Sequence, residues 1–359
     1  MLLFLSFILS VAGFIAFLTV FSWVWYVPLV MRVFGEPPFL RASIMEPLDD
    51  GEECQFTTAD GLTLRGTYLR TPAPRRQGVI VFCHEYKGDR WGALPYVDGL
   101  RGRGFDIFTF DFRNHGSSDR LPDYQPLPWL TRYELADTQA AVNYVCSRGD
   151  AQTTGVGLMG VSKGANAALC VAAHDARVRA VVADGAFPVG PMQRHYIRRF
   201  MDIYVHWPQL VEKVPDACLV SYCEWAKFLL GLRRRCRFVN VEQLVRKVEQ
   251  PVFMIHGEDD GYIPLSVARD LRRRLSGRSK MWVVPNAKHN GAIFCATQDY
   301  HQRVNRFFQR HLGGGRKHVL HPHRLAGGSE QSALVSAAVH DRAAFSFEDA
   351  APRPLQGLG

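Results

Sequence analysis

Between Leu2 and Met31 there is no Lys, Arg, Asp or Glu. The remainder of the chain has no second uncharged apolar run of that length, which excludes a multi-span membrane protein. Several chemical signatures are also missing. There is no Cys-x-x-Cys pair, no Gly-x-x-x-x-Gly-Lys-Ser/Thr phosphate cradle, no His-Glu-x-x-His zinc pair, no dinucleotide glycine fingerprint after the first strand, and no internal repeat. These absences argue against nucleotide, nicotinamide and zinc chemistry, and no cofactor is expected. What is present is ordinary for a folded domain: 47% apolar and 21% charged residues exclude wholesale disorder.

The uncharged head, residues 1–31, is dominated by Leu, Phe, Ile and Val, and roughly twenty such residues cross a bilayer as a helix. A secretory leader would carry a charged n-region and a small-residue cleavage site, and neither is visible, so the head reads as a retained single-pass anchor. Trp23, Trp25 and Tyr26 sit near its end at headgroup level, and Arg32 and Arg41 follow. That bias places the main domain on the cytoplasmic face. Residues 32–51 read as a linker, 52–312 as one large domain, and the Gly-rich polar stretch 313–359 as a disordered tail. His318, His321 and His323 in the tail lack partners of defined geometry, so no metal is expected.

The chain carries +9, and its excess is concentrated. Residues 192–250 hold eleven Lys/Arg against six acids, interleaved with Tyr196, Trp207, Tyr222, Trp225 and Phe228 among others. Beside a bilayer anchor, that pattern favours membrane lipid over nucleic acid as the partner. The alternative is a set of solvated helix faces over an aromatic core. Cys83 and Cys170 lie inside apolar runs, so the eight cysteines read as reduced thiols, with a bridge among Cys218, Cys223 and Cys236 as the exception to check.

In residues 52–312, short apolar runs at Glu53–Thr58, Leu62–Arg70, Gly78–Cys83, Phe105–Phe110, Gly155–Met159, Val178–Val182, Val252–Ile255 and Met281–Val284 alternate with helical patterns. The helical patterns are Trp91–Arg103, Thr131–Ser147, Lys163–His174, Leu265–Ser276 and Thr297–Leu312. A hairpin turning at Asp60-Gly61 followed by strand–helix alternation predicts a doubly wound, mostly parallel α/β sheet of eight strands. About seventy residues separate the runs ending at Val182 and starting at Val252, too many for a connection. They predict a helical insertion at roughly 187–250, placed to act as a lid.

Gly160-Val161-Ser162-Lys163-Gly164 fits Gly-x-Ser-x-Gly and directly follows an apolar strand. A serine on a sharp strand-to-helix turn is presented at the sheet edge, and small neighbours let the backbone pass close. Serine is a poor nucleophile without a base and an orienting acid. Candidates follow at later strand ends: Glu258, Asp259 and Asp260 after one strand, and His289 in the loop after the last. His301 and His311 fall within a helix. The cluster Asp111-Phe112-Arg113-Asn114-His115-Gly116 at another strand end reads as a turn held by Asp111 and Arg113 rather than as a site.

The order Ser, Asp, His with this elbow resembles the α/β-hydrolase superfamily, over roughly Glu52 to Leu312, and more narrowly its membrane-anchored lysophospholipase-like and serine-aminopeptidase-like members. The resemblance implies Ser162 as nucleophile and His289 as general base. It implies Asp260 as orienting acid, through the pattern His-Gly-x-x-Asp that begins at His256. It also implies an oxyanion hole from the backbone N–H groups of Lys163 and Tyr86, the latter in Cys83-His84-Glu85-Tyr86-Lys87-Gly88. Glu85 departs from the family, standing where glycine is expected, and must point away or be neutralised by Lys87 or Arg90.

The function implied is a membrane-anchored serine hydrolase acting on carboxylic esters of lipid or lysophospholipid type. Two alternatives stand beside it: an aminopeptidase or acyl thioesterase on the same triad, which does not encode the leaving group, and a catalytically silent membrane-bound interaction module. No feature sets an oligomeric state.

Overall fold

A computed structural model describes residues 1–35, 45–151, 155–204, 213–275 and 277–312. The tail with its three histidines, Arg41, and Trp207 of the insertion lie outside the described residues. Eight strands form one sheet: β1 Glu52–Thr57, β2 Thr63–Leu69, β3 Gly78–Cys83, β4 Phe105–Phe110, β5 Val156–Val161, β6 Val178–Asp184, β7 Val252–Gly257 and β8 Ser279–Val284. Their spatial order is β1-β2-β4-β3-β5-β6-β7-β8, antiparallel from β1 to β4 and parallel beyond. The expected hairpin forms at Gly61, whose φ of +86° glycine adopts without strain, and Asp60 accepts the Thr58 hydroxyl at 2.6 Å.

The central strands read as unbroken apolar runs because helices cover both faces. Along β3, Val79, Val81 and Cys83 face one layer and Ile80 and Phe82 the other. The first layer holds α3 (Arg132–Ser147) and α4 (Lys163–Ala172); the second holds α2 (Leu94–Arg101) and α10 (Thr297–His311). Helix α10 approaches closely because Gly157 offers no side chain: a Cβ there would lie 2.7 Å from the Phe308 ring. Burying one such phenylalanine contributes about 1.5–3 kcal/mol. Helix α8 (Leu265–Arg274) follows β7, and a short α9 (Ala292–Cys295), not expected from the sequence, precedes α10.

Between β6 and β7 the chain leaves the sheet to build the expected cap: α5 (Val189–Tyr204), α6 (Asp216–Arg234) and α7 (Val241–Leu244). Pro215 N-caps α6, and Arg235 in the left-handed region ends it. All eight cysteines are free, so the bridge considered among Cys218, Cys223 and Cys236 does not form.

Helix α1 runs from Leu2 to Gly35, four residues past the end of the apolar head as read from sequence. It is long and apolar enough to cross a membrane over Leu3–Gly35. Its two halves differ. From Leu3 to Phe21 the large apolar side chains are exposed, whereas Val27, Val30, Val33 and Phe34 are buried in the same core as the cap. Ser22 Oγ lies 2.7 Å from the Tyr222 hydroxyl, Trp23 packs on Trp225 at 5.3 Å and Tyr26 edges onto Tyr222. These contacts make α1 and α6 docked partners.

Candidate active site

At the end of β5 the chain turns so sharply that Ser162 takes φ 52° and ψ −118°, a conformation L-residues avoid. Neither flanking position tolerates a side chain. A Cβ on Gly160 would sit 2.3 Å from the Gly164 carbonyl oxygen, and one on Gly164 would sit 2.1 Å from the carbonyl oxygen of Cys83. This close approach is the physical content of the Gly-x-Ser-x-Gly spacing. The turn is held by the Ser162 N–H, which donates to Asp184 O at 2.7 Å, and by Asn166, whose amide exchanges hydrogen bonds with Phe187 at the start of the cap.

The acid and histidine loops are stitched together before their side chains meet. Glu258 N donates to Val284 O at 2.9 Å and Asp259 N to Ala287 O at 3.0 Å. Asn286 and Asn290, both at positive φ, bend the loop that carries His289. As a result His289 Nδ1 lies 2.7 Å from Asp260 Oδ2, and its Nε2 lies 3.1 Å from Ser162 Oγ. The other Asp260 oxygen accepts the N–H groups of Tyr262 and Ile263 at 2.9 and 2.8 Å. Burial works against ionising Asp260, but the His289 hydrogen bond and charge and the Ile263 N–H outweigh it, holding the carboxyl below its usual range. An ionised Asp260 accepts from Nδ1–H, which leaves Nε2 as an acceptor for the serine hydroxyl. His256 donates from Nε2 to Ile263 O at 2.9 Å and so fixes the turn that carries Asp260. Asp259 and Glu258 are exposed, away from the histidine.

The loop after β3 is equally constrained. His84 donates from Nδ1 to Glu85 O at 2.6 Å and accepts Phe112 N–H on Nε2 at 3.1 Å; burial lowers its pKa to about 4, so it is neutral. Tyr86 is buried, and the Lys163 ammonium lies 5.2 Å from its ring centroid. The Lys163 backbone N–H, in the first turn of α4, has no intrahelical acceptor and is placed beside Ser162.

Glu85 is not neutralised by either cation considered from sequence. Arg90 pairs with Asp111 at 2.7 Å and Glu53 at 2.9 Å, and Lys87 lies over the Tyr86 ring. The Glu85 carboxyl instead folds back over its own loop, where a Cβ on Gly88 would come within 3.1 Å of its carboxyl carbon. Burial pushes its pKa up to about 7, so a large share of the group is protonated near neutral pH and the charge returns as pH rises.

Two features were not anticipated. Lys163 Nζ is completely buried 3.2 Å from the equally buried Glu134, whose carboxylate also caps α3 through Thr131. Burial lowers the Lys163 pKa and raises that of Glu134. The signal was the capping-box spacing Thr131-x-x-Glu134. Asp184, the charged end of an apolar strand, accepts the Tyr300 hydroxyl at 2.9 Å, and burial pushes it up to about 7. The Asp111–Gly116 cluster is structural, as expected: Asp111 binds Arg90 and Ser117 N, and Arg113 binds Asp60 and Asp137. Among the described residues no group of three or more His, Cys, Asp or Glu is arranged to hold a metal.

Neither of two cavities among the described residues is lined by Ser162 or His289. One, about 500 Å³, lies between Tyr86–Asp89 and Asn114–Gly116; the other, about 810 Å³, lies within the cap.

The chain is similar to known proteins. A profile of the alpha/beta hydrolase family matches residues 80–307. The chain is 30% identical over 161 residues to the uncharacterized protein YfhR of Escherichia coli O157:H7, covering 44% of this chain and 51% of YfhR, so it spans about half the length of that relative. It is 25% identical over 271 residues to the uncharacterized protein YqkD of Bacillus subtilis, covering 74% and 82% of the two chains. In fold it is similar to the esterase Pf2001 of Pyrococcus furiosus, with TM-score 0.57 and 20% identity over 78% of this chain and 98% of the esterase. The family match takes in more than half of the chain, including the elbow, the acid loop and the histidine loop, and the chain belongs to the alpha/beta hydrolase family.

Proposed function

We propose that the protein is a membrane-anchored serine hydrolase that cleaves carboxylic esters through an acyl-serine intermediate, with a lipid or lysophospholipid-like ester as substrate. The observation that carries this reading is the single histidine bridging Asp260 at 2.7 Å and Ser162 at 3.1 Å at the end of a strained elbow.

Ser162 Oγ attacks the ester carbonyl while its proton passes to His289 Nε2, and Asp260 stabilises the imidazolium that forms. The tetrahedral oxyanion accepts the backbone N–H groups of Lys163 and Tyr86. Collapse expels the alcohol, which takes the proton from Nε2 and leaves the acyl group on Ser162. Water then repeats the sequence: it attacks the acyl carbonyl, gives its proton to His289, and releases a carboxylic acid and free serine. Burial, which raises the Glu85 pKa to about 7, lessens the negative charge beside the oxyanion.

Helix α1 supports a bilayer location, and Arg32 at its end supports a cytoplasmic catalytic domain. Membrane lipids are then both neighbours and the source of substrate. An acyl thioester is the second reading, favoured by 28% identity over 131 residues to the thiohydrolase aneE of Aspergillus aculeatus. An aminopeptidase or a silent module would share the same scaffold. A serine-reactive fluorophosphonate probe tests the reading: it labels the wild type and not Ser162→Ala, and labelling that survives the substitution refutes it. A panel of monoacylglycerol, thioester and peptide substrates then separates the leaving groups.

A further inference from the structure

The larger cavity is not an acyl pocket over the triad. It lies between cap helices α5 and α6, and five cations line it, Arg194, Lys227, Arg235, Arg237 and Arg274, against the two acids Glu224 and Glu242. Lys227 is paired with Glu224 at 2.7 Å, and Glu242 accepts the Gly190 N–H. The contacts of Arg194 and Arg235 with acids outside the cavity are long, 3.8 Å to Asp216 and 3.9 Å to Asp123. Arg274 is held by Asp270 at 2.7 Å, so the positive surplus of the lining rests on Arg194, Arg235 and Arg237, whose planar donors suit phosphate oxygens.

Part of the lining is apolar. Phe228 and Leu232 line the cavity, yet they are 55% and 60% exposed, which is unusual for two large apolar side chains on adjacent turns of one helix. Phe228 contacts Trp225 at 5.8 Å, and Trp225 contacts Trp23 of α1 at 5.3 Å. An unbroken row of rings thus runs from the apolar span to the cavity mouth. At about 810 Å³ the cavity has room for a headgroup and the start of a chain.

We propose that this cavity binds one anionic bilayer phospholipid, its phosphate among Arg194, Arg235 and Arg237 and its acyl chain along Phe228 and Leu232 towards α1. The site lies apart from the triad and would hold the cap against an anionic leaflet; it rests on the reading of α1 as a bilayer span. A soluble phosphate compound would satisfy the guanidinium groups but would leave the aromatic row without a role.

The test uses full-length Ser162→Ala protein in an uncharged maltoside detergent, so that turnover does not enter. Dihexanoyl phosphatidic acid, dihexanoyl phosphatidylcholine and inorganic phosphate are titrated by intrinsic tryptophan fluorescence. Phosphatidic acid should bind about tenfold or more tighter than either control, a preference that Arg235→Glu with Arg237→Glu should remove. If the unfolding midpoint without lipid shows that this variant does not fold, Arg237→Gln alone, in the loop between α6 and α7, should weaken phosphatidic acid binding severalfold while leaving phosphatidylcholine binding unchanged. Equal binding of the two lipids, inorganic phosphate binding as tightly as phosphatidic acid, or a preference that survives charge reversal would each overturn the proposal. Because binding is read without turnover, its failure leaves the hydrolase reading standing, and failed probe labelling of wild type leaves this one standing.

Discussion

Replacing Asp260 by Asn separates the orienting role of this carboxylate from its structural one. Asp260 Oδ1 accepts two backbone N–H groups and Oδ2 accepts His289 Nδ1–H. An amide can keep its oxygen on the two N–H groups, but its NH2 then faces Nδ1. The imidazole responds by carrying its proton on Nε2, where it can no longer accept from Ser162. The expected loss in kcat is about 10⁴-fold, or about 5.5 kcal/mol of transition-state stabilisation, with little change in the unfolding midpoint. Asp260→Ala should lose the same activity and in addition about 1–3 kcal/mol for each buried N–H left without an acceptor. The sign with pH follows from the depressed carboxyl: its contribution to stability is present above the ordinary aspartate range and lost as pH falls through the folded-state value. That acid-side loss should be absent in Asp260→Asn. Aryl-ester turnover and denaturant unfolding of both variants measure these terms. A kcat for Asp260→Asn within tenfold of wild type would refute the orienting role, because the mechanism requires the tautomer.

Three further outcomes follow from the same coordinates. Glu85 has its pKa raised by burial from 4.5 to about 7, so stability should fall as pH rises across that window; Glu85→Gln should flatten the fall, as read by unfolding midpoints at pH 5 and 8. Gly164→Ala drives a methyl to 2.1 Å from the Cys83 carbonyl oxygen and should cost about 1–3 kcal/mol in denaturant unfolding, with loss of ester turnover, whereas Gly102→Ala meets nothing within 4 Å and should retain wild-type turnover. Lys163→Met strands a buried Glu134 and should cost about 3–5 kcal/mol, much of it recovered when Glu134→Gln, which keeps an oxygen for the Thr131 cap, is added; a double variant as unstable as the single would contradict the pairing.

The sheet and the meeting of Ser162, His289 and Asp260 were legible in the sequence because each is written locally. Apolar runs of strand length mark a sheet covered on both faces, and Gly160 and Gly164 mark a turn that no other residue could make. His289 and Asp260 stand at strand ends, where this topology gathers ligand-binding groups. What the sequence did not reveal depends on contacts between distant residues. Nothing in the composition of residues 1–31 distinguishes the exposed half of α1 from the half that packs on Tyr222 and Trp225, because both are apolar. Glu85 looked like a threat to the oxyanion because its motif position does not show that the folded protein buries its carboxyl and raises its pKa to about 7. Lys163 was read only for its backbone, since the partner that allows an ammonium to be buried lies 29 residues away in α3.

The central claim is that Ser162 carries the acyl group. Mixing the wild-type protein with a p-nitrophenyl ester, quenching in acid and mapping the added mass by peptide mass spectrometry addresses it directly. The account predicts a burst of nitrophenol and one acyl adduct, on the peptide containing Ser162, that accumulates in a variant slowed at deacylation. An adduct on another residue, or steady turnover by Ser162→Ala at the wild-type rate, would contradict it.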